Sequence, residues 1–114
     1  MAKYECEITG DFTEVLRLIE EGILRGSLSA QLEDGSDHSD NGIRCAVRVY
    51  ERYSIIGGNR VSLNVTLIGN GDKLFVSAIT SGGSKAVFFK INTLGEDAFL
   101  DCLVEILNKV PRNE

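Results

Sequence analysis

The amino-acid sequence predicts an α+β fold in which two helices pack on one face of an antiparallel sheet. Three observations support this prediction. Two segments, one near each end of the chain, place apolar residues at the spacing of an amphipathic helix. Between them, apolar and polar residues alternate in successive runs, as they do in strands with one buried face. Short glycine-containing turns separate these runs, and such turns join neighbouring strands into an antiparallel meander.

The N-terminal segment predicts a strand followed by a helix. Residues 3–9 alternate between polar and apolar side chains, and Gly10 ends the run. Asp11 is positioned to cap a helix over residues 12–24, and Glu14 completes a capping-box pattern. The apolar stripe of that helix comprises Phe12, Val15, Leu16, Ile19 and Ile23.

The middle of the chain predicts five further strands, so the element order is β-α-β-β-β-β-β-α. They cover residues 28–33, 43–50, 60–67, 73–79 and 86–91, and the last of them makes a sheet of six strands instead of five. The polar run 34–42 (DGSDHSDNG) is rich in turn-forming residues and predicts a long hairpin loop. In the strand that follows, the residues expected to face the helices are Ile43, Cys45, Val47 and Val49.

The C-terminal segment predicts the second helix. Thr93 opens it, Glu96 occupies the capping-box position, and Pro111 ends it. Its apolar stripe comprises Phe99, Cys102, Leu103, Ile106 and Val110. Because each helix has one apolar stripe, we expect both to cover the same face of the sheet and to leave the other face open.

The composition is typical of one globular domain over residues 1–114, with 43% hydrophobic and 25% charged residues. The net charge of −5 disfavours binding to nucleic acid or to an anionic membrane surface. No apolar stretch is long enough to span a bilayer, and the first ten residues do not resemble a signal peptide. The sequence therefore predicts a cytoplasmic protein.

Residues that carry catalytic or metal chemistry are sparse. Cys6, Cys45 and Cys102 are widely spaced on apolar faces, so we expect buried thiols and neither disulfides nor zinc ligands. His38 is the single histidine, and it lies among carboxylates in the polar run 34–42, which lacks the spacing of a calcium loop. We expect a solvated loop there. The sequence indicates no cofactor, no metal and no catalytic residue, and therefore does not indicate an enzyme.

The open face of the sheet is the main functional prediction. Between residues 43 and 91 the chain holds seven basic and two acidic residues, so we expect cations and aromatic rings to share this face. The predicted centre of the surface comprises Arg44, Arg48, Tyr50, Phe75 and Phe88. Such surfaces bind single-stranded nucleic acid in some proteins, but the acidic net charge favours a second copy of the chain. The structural alternative is an ordinary solvated sheet, where charged and aromatic side chains are common.

We therefore predict a non-enzymatic binding or protein-interaction domain that forms a homodimer. The alternative is a carrier or sensor of a small apolar ligand between helices and sheet, lined by Phe12, Leu16, Phe99 and Leu103. The glycine-rich run near residue 83 is a candidate anion nest, for which a flexible hairpin turn is the alternative. Its residues are Gly82, Gly83, Ser84 and Lys85.

Two motifs resemble a family of small uncharacterised bacterial domains. The first is F-x-x-V-L-x-x-I-x-x-G-I-L, from Phe12 to Leu24, and the second is S-G-G-S…F-F-K…G-E-x-x-F-L, from Ser81 to Leu100. The resemblance implies a two-layer α+β fold, a bacterial cytosolic setting and no assigned activity. The element order is also similar to that of helix-grip lipid-binding folds, in which a curved sheet wraps around a C-terminal helix.

Overall fold

The structure is a computed structural model that describes residues 2–26, 29–53, 60–82 and 103–108. Its elements are β1 (Lys3–Thr9), α1 (Phe12–Gly26), β2 (Gln31–Asp40), β3 (Ile43–Tyr53), β4 (Arg60–Asn70) and β5 (Lys73–Gly82). Residues 103–107 are helical and belong to the second helix. An open antiparallel sheet with two helices confirms the predicted α+β class. The sixth strand predicted at 86–91 and the beginning of the second helix lie outside the described residues.

The strand order is β1-β5-β4-β3-β2, so β4 is the middle strand of the five. Strands β2 to β5 form the predicted meander, and each neighbouring pair is antiparallel. β1 closes the far edge of the sheet by pairing with β5. Since α1 connects the two edge strands, the chain must cross the sheet along one of its faces. The helices therefore divide the sheet into a helix-bearing face and an open face.

Local sequence signals define the start of α1. The backbone N–H of Glu14 donates to Oδ2 of Asp11 at 3.0 Å, which confirms the predicted N-cap. The Glu14 carboxylate pairs with Arg17, one turn along the helix. The helix ends at Gly26, two residues beyond its predicted end. Its buried residues are Phe12, Val15, Ile19 and Ile23, as the apolar stripe predicted.

Two glycines let the helices lie close to the structures that support them. At Gly69 in β4, an added Cβ would lie 2.7 Å from Cδ2 of Phe12 and 2.8 Å from Cδ2 of Leu74. The absent side chain therefore leaves room for the beginning of α1. At Gly22 in α1, an added Cβ would overlap Ile106, so the second helix packs against α1 there. Among the described residues 103–108 of the second helix, Leu103 and Leu107 are fully buried.

The predicted hairpin loop at 34–42 is wrong, because the structure continues β2 as far as Asp40. The turn consists of Asn41, with φ of 51°, and Gly42, with φ of 82°. Positive φ at both central positions is typical of a type I′ turn, whose twist matches that of the strands it joins. Such a short turn carries its polar neighbours into the ladder between β2 and β3. The polar composition reflects solvent exposure, since every residue of β2 is exposed.

Candidate functional site

The two faces of β3 are reversed relative to the sequence prediction. Tyr50 is buried opposite Leu63 of β4, on the face that α1 covers. Side chains two residues apart share a face, so Arg44 and Arg48 also lie on the helix-bearing side. The predicted placement of these two arginines and Tyr50 on the open face is therefore corrected. Alternation could not separate the two assignments, because both sets of alternating residues in β3 include apolar side chains.

Arg48 is held on the helix-bearing face by charges from two elements. Its side chain is only 12% exposed, and its Nε lies 3.3 Å from Oε2 of Glu20 in α1. Its Nη2 lies 3.0 Å from Oδ1 of Asp37 in β2. Gly35 leaves room for the Arg48 side chain, because an added Cβ at Gly35 would lie only 3.0 Å from Cδ of Arg48. Burial lowers the pKa of Arg48, but bonds and charges from Asp37 and Glu20 outweigh it and raise the pKa overall.

Arg44 lies against the beginning of α1. Its guanidinium carbon is 4.2 Å from the centre of the Phe12 ring, and its Nη1 donates to Oγ1 of Thr13 at 2.9 Å. An open cleft of about 160 Å³ adjoins these groups. Its lining residues are Phe12, Asp37, His38, Ser39, Arg44 and Cys45. Because the lining includes both an arginine and a carboxylate, its charge does not select an anion.

Tyr50 is a core residue and not a surface ring. It is fully buried, and its hydroxyl has no hydrogen-bond partner among the described residues. Burial raises the pKa of Tyr50, and the negative charge of Glu20 adds to this increase, whereas Arg48 opposes it. The phenol therefore stays protonated in the folded protein across the neutral pH range.

The open face has an apolar middle. Its apolar side chains are Ile43, Cys45, Val47, Val49, Ile68, Phe75 and Ile79. The exposed fractions of Ile43, Ile68 and Ile79 are 47%, 38% and 41%. Phe75, which the sequence placed on this face, is half-buried and pairs with Ile68 across β4 and β5. Large exposed apolar side chains are thus present on three neighbouring strands of this face.

Charged side chains of the open face lie on the two edge strands and toward the ends of inner strands, among them Arg60 at the beginning of β4 and Lys73 at the beginning of β5. β1 contributes Lys3, Glu5 and Glu7, and β2 contributes Asp34, His38 and Asp40. Between them, polar side chains of the inner strands adjoin the apolar middle: Ser62, Asn64, Thr66 and Ser77. The open-face side chains of the middle strand β4 are therefore polar except for Ile68, and most of the apolar side chains of this face lie on β3 and β5.

Five predicted site residues lie outside the described part of the chain: Gly83, Ser84, Lys85, Phe88 and Phe99. The remaining member of the candidate anion nest, Gly82, is the last residue of β5. It pairs with Val61 of β4, and an added Cβ would lie 2.7 Å from the carbonyl oxygen of Arg60. The close approach of β4 therefore accounts for this glycine without a bound anion.

The cysteines and carboxylates form no site in the described part of the chain. Cys6 and Cys45 are free thiols, each half-buried, and Cys45 lies on the open face and not in the predicted core. Among residues 2–26, 29–53, 60–82 and 103–108, no three His, Cys, Asp or Glu side chains come together as metal ligands. None of the described helices is long and apolar enough to cross a membrane.

The sequence model of a family of unknown function, DUF6054, matches residues 1–111. The chain belongs to the DUF6054 family. This confirms the predicted resemblance to a family of domains of unknown function. No curated protein matches the sequence significantly. The crystal structure of TTHA0849 from Thermus thermophilus is similar to this DUF6054 chain, with 11% identity and a TM-score of 0.34. The similarity covers 95% of this chain and 97% of that chain, and at this level it carries no information on function.

Proposed function

We propose that this DUF6054 member is a non-enzymatic protein-interaction domain that forms a homodimer by packing two open faces together. The observation that carries the proposal is the exposed apolar middle of the open face, where Ile68 lies on the central strand with Phe75 beside it. Apolar side chains gain free energy when a second surface removes them from water. A second copy of the chain presents a surface of the same character.

The placement of the arginines supports a protein partner over a nucleic acid. Arg44 and Arg48, expected at the centre of the open face, lie on the helix-bearing face. Arg48 is paired with two carboxylates, and Arg44 is bonded to α1. Nucleic-acid surfaces need cations beside their stacking rings. The edge strands of the open face instead carry more carboxylates than cations.

The size of the open face is suited to a stable dimer. Five strands about 4.8 Å apart, with seven to eleven residues at about 3.3 Å each, give about 550–870 Å² per copy. A standard specific interface buries about 800 Å² per partner. Two sheets packed face to face also form an ordinary sandwich core, about 10 Å thick.

The alternative function, a carrier of a small apolar ligand, receives less support. A ligand site needs a cavity of at least about 300 Å³. The cleft beside Arg44 has a volume of about 160 Å³, and a second cleft beside Arg52 and Arg60 has about 180 Å³. Both of these clefts lie near β2 and β3, and the described side chains between α1 and the sheet include fully buried ones such as Ile19 and Leu67. A cytoplasmic location stays a prediction from the sequence.

The proposal is tested by the mass of the purified protein in solution, measured by light scattering after size exclusion and by native mass spectrometry. We expect a dimer for the unchanged chain. Ile68→Glu should convert it to a monomer, because the change puts two charges at the centre of the contact without a partner. Leu18→Glu is the matched control, since Leu18 is 37% exposed on α1 and Ile68 is 38% exposed on the open face.

A dimer that survives Ile68→Glu but dissociates with Leu18→Glu would place the contact on the helices and overturn the proposal. The proposal would also be overturned if the unchanged chain stayed monomeric at about 100 times the protein concentration of the first mass measurement. Circular dichroism of each variant at low concentration shows whether the fold is intact. Bound mass that leaves on denaturation would favour the carrier instead.

A further inference from the structure

We infer that the two-fold axis of this dimer runs along the middle strand β4, so that Lys3 pairs with the partner's Asp34 and Glu7 pairs with the partner's His38. This inference rests on the proposed function, because it specifies how the two open faces meet. It follows from the order of the strands, the register of the sheet and the charges at its two edges.

Four rows of paired residues cross the open face from β1 to β2, and two of them have charged or imidazole side chains at both ends. The first of these two rows is Lys3, Ile79, Asn64, Val49 and Asp34. The second row is Glu7, Phe75, Ile68, Cys45 and His38. The first row has a cation at one end and a carboxylate at the other, and the second has a carboxylate and an imidazole. Apolar side chains lie inside each row.

A two-fold axis along β4 places every row on its own copy in the partner. β4 is the middle of five strands, so this axis superimposes all of them, with β1 over the partner's β2 and β5 over the partner's β3. Ile68 then meets the partner's Ile68, and Phe75 meets the partner's Cys45. At the edges, Lys3 meets the partner's Asp34. Along the second row apolar groups thus contact apolar groups, whereas polar Asn64 at the centre of the first row meets the partner's Asn64 and Lys73 lies over the partner's Ile43. The Lys3–Asp34 contact of opposite charges occurs twice in each dimer.

The other axis that keeps the strands aligned runs perpendicular to them and gives poorer contacts. It places β1 over the partner's β1 and β2 over the partner's β2. Three carboxylates of β2, those of Glu33 at the bulge, Asp34 and Asp40, would then face the same three carboxylates of the partner. Lys3 would then meet residues of the partner's β1 and not of its β2. Pairing of the two β2 edges side by side is disfavoured for the same reason, since like charges opposite one another destabilise a sheet.

Charge reversal distinguishes these arrangements. Lys3→Glu alone and Asp34→Lys alone each place two like-charged pairs in the dimer, and we expect each to weaken dimerisation about tenfold at low ionic strength. An equimolar mixture of the two variants contains a heterodimer in which both edge contacts join opposite charges. We expect that heterodimer to form within about threefold of the affinity of the unchanged chain, and the rescue to weaken in high salt.

Asp40→Lys provides the matched control for Asp34→Lys. Asp40 lies on the same strand and the same face, is also exposed, and changes the net charge by the same amount. It lies six residues from Asp34, about 20 Å along the strand, and therefore outside the reach of Lys3. The Asp40→Lys protein should dimerise with itself as the unchanged chain does, whereas its heterodimer with Lys3→Glu keeps one like-charged edge contact and should form more weakly than the heterodimer of Lys3→Glu with Asp34→Lys.

The outcomes separate this inference from the proposed function. A Lys3→Glu heterodimer that is tighter with Asp34→Lys than with Asp40→Lys supports the axis along β4. If Ile68→Glu dissociates the dimer but Lys3→Glu forms heterodimers of equal affinity with Asp34→Lys and with Asp40→Lys, the open faces meet in another orientation. The inference is then wrong. If the unchanged chain is a monomer, the proposed function fails and the inference fails with it.

Discussion

The helix-bearing face and the open face of the sheet both carry apolar side chains, but the fold buries only those of the helix-bearing face. Leu67 and Ile68 are consecutive residues of β4, yet Leu67 is fully buried under α1 and Ile68 is more than one-third exposed. Their side chains point to opposite faces because successive residues of a strand alternate. A single strand therefore contributes to the core through one residue and to the candidate interface through the next.

The polar residues of the two faces differ in the same way. Arg48 on the helix-bearing face is enclosed and has carboxylate partners on α1 and β2. Lys73 on the open face is exposed and is the first residue of β5. Charges that pack inside a fold must be paired, whereas charges at a rim stay available for a partner. The charges of the helix-bearing face thus contribute to stability, and those of the open face are the ones that the proposed dimer would use.

The largest expected effect comes from truncating the two neighbouring residues of β4. Leu67→Ala should lower the free energy of unfolding by about 2–5 kcal/mol, because it leaves a cavity under α1. Ile68→Ala should cost less than about 1 kcal/mol in dilute protein, where the open face is wet. Urea denaturation of both variants measures the difference. Equal losses of unfolding free energy in dilute protein would show that the open face is covered by the chain itself. A loss for Ile68→Ala that grows with protein concentration would instead support a dimer through this face.

An intermediate effect is expected from neutralising one cation on each face. Arg48→Met keeps the aliphatic stem but leaves Glu20 and Asp37 without their shared partner, so we expect a loss of about 1–3 kcal/mol. Lys73→Met should leave the free energy of unfolding within experimental error. Thermal unfolding at neutral pH compares the two. Comparable changes would mean that Arg48 is no more constrained than a surface residue.

The smallest expected effect comes from removing the buried hydroxyl of Tyr50. Tyr50→Phe should leave stability at pH 7 unchanged or raise it by about 1 kcal/mol, because the hydroxyl has no described partner to lose. Tyr53→Phe, on an exposed ring, is the control. A loss of more than about 1 kcal/mol would reveal a hydrogen bond to the Tyr50 hydroxyl.

The same substitution changes the response to alkali. The folded pKa of Tyr50 is raised by burial, whereas the unfolded chain loses this proton near the ordinary value of about 10. The unfolded state then binds fewer protons than the folded state, so stability present below pH 10 falls as the pH rises further, by about 1.4 kcal/mol per unit. Denaturant titrations between pH 9 and about 11 should show a shallower fall for Tyr50→Phe. An identical slope in both proteins would contradict the burial of this phenol.

Much of the fold was predictable from local patterns. The stripe and N-cap of α1 were correct because they depend on neighbouring residues, as the bond from Glu14 to Asp11 shows. The class and the meander followed from alternation and glycine turns. The loop expected at 34–42 was wrong because polar composition was given more weight than the two-residue turn at Asn41 and Gly42. That turn signal was present in the sequence.

The candidate site was less predictable, since it depends on which side of β3 faces inward. Phe75 was placed correctly on the open face, whereas Arg44, Arg48 and Tyr50 were not. A large ring such as that of Tyr50 fits either face when only the strand itself is considered.

The sequence by itself determined α1 with its N-cap and the strands β1, β3, β4 and β5, because capping, turn geometry and periodicity act over a few residues. Tertiary structure alone decided the strand order, with β1 at the far edge, and the inward face of β3. Those choices depend on contacts between distant residues, such as Tyr50 beside Leu63 and Arg48 between Glu20 and Asp37. Alternation marks two faces in every strand, but only packing against a helix makes one of them the core.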